Sequence, residues 1–68
     1  MTLDCRGMLC PLPVIKLAQA FPNLQVGDTI TVLADDPAAA TDIPAWCRMR
    51  AQELVSAAGD EYVVRRLS

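Results

Sequence analysis

Cys5, Cys10 and Cys47 are the residues on which covalent chemistry can be built in a chain that contains no histidine. Cys10 has the most informative surroundings. It stands immediately before Pro11-Leu12-Pro13, and an apolar pattern follows at Val14, Ile15, Leu17, Ala18 and Phe21. Proline is tolerated in a first helical turn, where the backbone N–H has no partner in any case. The spacing therefore predicts a helix with Pro11 as its first residue, Pro13 as its third and Cys10 at the N-cap. A thiol at that point faces unpaired N–H groups and the positive end of the helix dipole. Cysteines at helix N-termini have pKa values of roughly 3.5–7.5 against about 8.5 for a free thiol, and without a histidine Cys10 is expected in the upper part of that range.

The thiolate is the form that attacks, and a stabilised thiolate is also a good leaving group. Pro11 and Pro13 stiffen the turn, and they also remove two N–H groups from the anion site. For Cys10 alone the alternative is an inert cysteine that caps a helix by accident.

Cys5 is favoured as a small apolar core residue at a strand end; the alternative is a resolving thiol able to pair with Cys10. Cys47, next to Trp46 along a helical stripe, reads as core. The three cysteines lack metal-ligand spacing, so no metal site is expected. Asp35 and Asp36 suit a loop after a strand better than an acid/base pair or a magnesium site. Arg6 and Gly7 flank the thiol. Arg6 is a candidate contact for an anionic sulfur, and Gly7 a candidate for positive φ. Met8 and Leu9, apolar residues in a loop beside a thiol, suit either core or a docking surface.

The elements that must position these residues are few. With 68 residues the chain makes one domain, spanning 1–68, and 53% hydrophobic content lets a compact core carry it. A net charge of −2 with scattered basic residues argues against direct nucleic-acid binding. No stretch suits a bilayer span or a signal peptide, so a cytoplasmic protein with free thiols is expected.

Leu3 to Cys5 reads as a first strand. A helix runs from about Pro11 to Ala20, and Thr29 to Ala34 is an alternating strand with Ile30, Val32 and Ala34 on one face. A second helix is expected from an N-cap at Thr41, with Pro44 at its third position. An earlier start at Pro37 would put Pro44 inside the helix. Gly59-Asp60 marks a two-residue hairpin joining about Leu54–Ala57 to Tyr62–Arg66. The order is β-α-β-α-β-β. It implies a two-layer α/β sandwich, with a four-stranded mixed sheet and both helices on one face.

Leu3-Asp4-Cys5-Arg6-Gly7-Met8-Leu9-Cys10-Pro11-Leu12-Pro13 resembles the signature of the TusA (SirA-like) sulfur-carrier family. Ala34-Asp35-Asp36-Pro37, followed by Asp42-Ile43-Pro44 and Cys47, resembles that family's second block. The resemblance implies the same β-α-β-α-β-β sandwich, with Cys10 carrying sulfur as a persulfide and no organic cofactor. It implies a donor protein, such as a cysteine desulfurase or a rhodanese-like protein, and an acceptor protein. Pathways of the family include tRNA thiolation, sulfur oxidation, molybdenum-cofactor assembly and uptake of sulfur compounds. Two other classes remain open: a non-catalytic interaction domain of the same fold, and a thiol redox protein using Cys5 and Cys10.

Overall fold

A computed structural model describes all residues, Met1–Ser68. Strand β1 (Thr2–Asp4) leads to helix α1 (Leu12–Ala20), which closes in a 3₁₀ turn at Phe21–Asn23. Strand β2 (Thr29–Leu33), helix α2 (Ala39–Met49) and the hairpin β3 (Glu53–Ala58) and β4 (Glu61–Arg65) follow. The sheet order is β1-β2-β4-β3. β1 runs parallel to β2, β4 antiparallel to β2 and β3 antiparallel to β4. The expected two-layer sandwich with a mixed sheet is therefore the observed fold.

The core follows from alternation. Ile30 and Val32 of β2 face Val64 and Tyr62 of β4 across the ladder, and all four are buried. Leu17 of α1 and Ala39, Ile43, Trp46 and Cys47 of α2 complete the same cluster, so both helices cover one face of the sheet. Thr29, Thr31 and Leu33 alternate with the buried pair and are half-exposed. Full burial of a Leu, Ile or Val side chain stabilises by about 1.5–3 kcal/mol. The five largest of them here, Leu17, Ile30, Val32, Ile43 and Val64, are all at 0% exposure. Phe21 meets Trp46 edge to face, with ring centroids 5.1 Å apart, and ties the end of α1 to α2.

Several boundaries differ from the sequence expectation. β1 ends at Asp4 and β2 at Leu33, each a residue early. Helix α1 starts at Leu12, with Pro11 at the N-cap and Pro13 at the second position. Helix α2 begins well before Thr41, so Pro44 lies inside it. The reason is local. Asp36 caps this end, its Oδ1 accepting the Ala38 N–H at 3.1 Å. The run Ala38-Ala39-Ala40 that follows has the highest helix propensity of any residue type. Pro44 leaves the carbonyl of Ala40 without its helical donor, but Ala40 is exposed and that oxygen is open to water.

The far end of α2 closes without glycine. Ala51 takes φ 55°, its N–H bonds the Arg48 carbonyl, and the Gln52 N–H bonds the Cys47 carbonyl at 2.9 Å. This is the Schellman pattern, with alanine where glycine is usual. In the hairpin, Gly59 at φ 59° makes the tight turn and Ala58 pairs with Glu61 across it. The register shifts between Leu54 and Ser56, a bulge at Val55.

Candidate functional site

The segment from Cys5 to Pro11 links β1 to α1 and is held at four points. The Cys5 N–H bonds the Leu33 carbonyl and the Met8 N–H bonds the Cys5 carbonyl. The Gly7 N–H donates to Asp35 Oδ1 at 2.9 Å, and the Cys10 N–H to Asp36 Oδ2 at 2.6 Å. Asp35 and Asp36 are thus loop residues, as expected, but their carboxylates fasten the thiol-bearing loop to the start of α2. Gly7 sits at φ 82°, a region glycine enters without the cost other residues meet.

Cys10 is exposed, whereas Cys5 and Cys47 are buried at 1% and 2% exposure. All three thiols are free. Cys10 lies one residue before the N-cap, and its peptide bond to Pro11 is cis. The Leu12 N–H is taken by the Leu9 carbonyl, and Pro13 has none to give. Little of the expected anion site is left at the helix start. The Cys10 Sγ instead donates to Asp42 Oδ2 at 2.8 Å. That hydrogen bond is the main cause that pushes the Cys10 thiol above its ordinary pKa; desolvation and the charges of Asp42 and Asp36 act in the same direction. The expectation of a depressed thiol pKa at a helix dipole is therefore overturned. A carboxylate that accepts a hydrogen bond from the thiol outweighs a helix start whose first two positions offer the sulfur no donor.

The other candidates separate. Arg6 grips Asp4 with two bonds, Nε to Oδ1 at 3.0 Å and Nη2 to Oδ2 at 2.9 Å. The Arg6 guanidinium, chiefly by those hydrogen bonds, holds the Asp4 carboxyl down at about 2. Arg6 is thus engaged by Asp4 rather than by the sulfur. Met8 packs on the core, while Leu9 stands out at 71% exposure. Pro11 is exposed at the cap and Pro13 is buried beneath it. Burial pushes both the Cys5 and the Cys47 thiol up.

An open cleft of about 320 Å³ lies between the helices beside the thiol. Pro11 and Val14 line it from α1, and Ala45, Trp46 and Met49 from α2, with Cys10 and Asp42 completing the wall. Sequence reading had singled out neither Asp42 nor this cleft as part of the site. Asp42 lies 32 residues from Cys10 in the chain and meets the sulfur from the first turn of α2. Its one visible sign was membership in the Asp42-Ile43-Pro44 block. No group of His, Cys, Asp and Glu is arranged to hold a metal ion. No helix is long and apolar enough to cross a membrane.

The arrangement offers one accessible sulfur nucleophile with a carboxylate on its proton and an apolar recess at its side. The sequence model of a protein family described as Sulfurtransferase TusA matches residues 1–66. The chain belongs to the TusA sulfurtransferase family.

Proposed function

We propose that this member of the TusA family relays sulfane sulfur between protein partners as a persulfide on Cys10. The observation that carries the reading is the contrast among the three thiols: Cys10 alone is exposed, while Cys5 and Cys47 lie in the core. In the first step the Cys10 sulfur attacks the outer sulfur of a donor persulfide and the donor thiolate departs. In the second an acceptor thiolate attacks the outer sulfur on Cys10 and releases it. Because Asp42 holds the thiol protonated at rest, the nucleophile is generated at the moment of transfer rather than stored. This leaves the free carrier slow to react with oxidants and alkylators, which act on thiolates.

The donor fits a cysteine desulfurase or a rhodanese-like protein, and the acceptor a thiol-bearing enzyme of a sulfur-using pathway. Neither a metal nor an organic cofactor is needed for these steps. The compartment that suits them is the reducing cytoplasm, where thiols stay free. A redox role for the Cys5–Cys10 pair is disfavoured by the burial of Cys5.

The test is sulfur loading from a persulfide donor, read by intact mass. Wild type should gain the mass of one sulfur, removable by a reducing thiol. Cys10→Ser should gain none, and Cys5→Ser should still gain it. Loading that persists in Cys10→Ser overturns the assignment.

A further inference from the structure

Charge around Cys10 is of one sign. From α2, Asp42 accepts a hydrogen bond from the thiol at 2.8 Å. From the β2–α2 loop, Asp36 takes the backbone N–H of Cys10, and Asp35 beside it takes that of Gly7. The cations of the neighbourhood do not answer them. Arg6 is bound to Asp4, and Arg48 and Arg50 belong to the opposite end of α2. Lys16, the one charged residue of α1, bears on the buried Cys5 thiol and makes no hydrogen bond or ion pair at Cys10. The cleft that adjoins the sulfur is walled by Pro11, Val14, Ala45, Trp46 and Met49, and the one cation against that wall, Arg50, lies over the Trp46 ring at 5.8 Å. An anion approaching the sulfur meets a carboxylate at contact distance, and no side chain of opposite sign is bonded there.

We propose that Asp42 is a specificity-determining residue of this site: its carboxylate, seated on the Cys10 thiol, selects neutral or positively charged sulfur donors and turns away small anionic ones such as thiosulfate. The proposal rests on Cys10 being the sulfur-accepting residue. In the favoured step a neutral hydropersulfide, RSSH, presents its outer sulfur. Cys10 Sγ forms the new S–S bond, the old S–S bond breaks, and its electron pair leaves on RS⁻. That sulfur takes up the proton Cys10 gives away, so the products are the Cys10 hydropersulfide and RSH. An anionic donor places its negative charge on or beside the attacked sulfur, within reach of Asp42. A unit charge repelled at about 4 Å is worth roughly fivefold in rate under fully water-like screening and more where water is excluded, so about tenfold is expected at this exposed site.

The test uses the full chain and two alkylating agents of matched size, neutral iodoacetamide and anionic iodoacetate. Cys10→Ser gives the blank for the buried thiols. The rate ratio, neutral over anionic, should exceed that of uncharged N-acetylcysteinamide by about tenfold at low salt, and should shrink as salt rises. Asp42→Asn should remove most of the excess, and should raise sulfur uptake from thiosulfate relative to uptake from zwitterionic cysteamine persulfide. A wild-type ratio equal to that of the small thiol overturns the proposal, and the salt series reads this even where Asp42→Asn does not fold. An excess untouched in folded Asp42→Asn overturns it too, as does an unchanged donor ratio. The alkylation arms do not require Cys10 to carry sulfur, so their failure is distinct from loss of sulfur loading, which would sink the carrier assignment instead.

Discussion

Cys5 and Cys10 stand within one loop, yet the causes that keep their protons on differ in kind. Cys5 is at 1% exposure, and burial alone is the chief reason its thiol resists ionisation. Cys10 is exposed, and a single hydrogen bond to Asp42 is the chief reason. The first condition is a property of the whole fold and changes only when the core opens. The second belongs chiefly to one side chain on one helix, and anything that draws Asp42 away weakens it. A thiol meant to stay silent and a thiol meant to be switched can thus show pKa shifts of the same direction.

The comparison breaks most sharply on sulfur loading. Cys10→Ser should lose it entirely and Cys5→Ser should keep it, as intact mass would show. On stability the order inverts. Cys5→Ser puts a hydroxyl into the core and should cost about 1–3 kcal/mol by denaturant unfolding, while Cys10→Ser, at an exposed position, should stay within about 0.5 kcal/mol. Equal costs would mean that Cys10 is held as firmly as Cys5.

The pH profile of Cys10 alkylation should have its midpoint above the ordinary thiol value, and Asp42→Asn should bring it down. Cys5 should remain unreactive in both proteins. The sign for stability follows the same way. Native thiols that hold their protons more tightly than the unfolded chain stabilise the fold below the unfolded thiol pKa, and that contribution is lost as pH rises through the native values. Alkaline destabilisation from Cys5 should therefore survive Asp42→Asn.

Asp36→Ala removes a cap from α2 and an acceptor from Cys10 at once. It should cost about 1 kcal/mol and broaden the Cys10 environment, seen as faster amide exchange at Cys10 and Ala38. The smallest effect is a control remote from both thiols: Ala51→Gly, at φ 55°, should add roughly 0.5–1 kcal/mol of stability and leave Cys10 reactivity unchanged.

Much of the architecture was legible because it rests on periodicity. Ile30, Val32 and Ala34 alternate as the sheet requires, and Gly59-Asp60 turns the hairpin where the residues suggest. What failed was competition between local effects of similar size. At α2, the Asp36 cap and three alanines outweighed the cost of Pro44, a balance that residue rules do not settle in advance. At Cys10, the dipole argument was sound as physics and already discounted the N–H groups that Pro11 and Pro13 lack, but it counted the Leu12 N–H, which the Leu9 carbonyl occupies. It could not see a carboxylate 32 residues away in the chain. The candidate nucleophile was readable from its own neighbours, and its proton acceptor was not.

Asp36 gives the molecule a mechanical joint. One of its oxygens holds the amide that starts α2, and the other holds the amide of the residue carrying the thiol. A force that unwinds the leading coil of that helix is therefore passed through one carboxylate to the residue that carries the sulfur. A protein that grips Ala38 to Ala40 could loosen the thiol's tether without touching the sulfur itself.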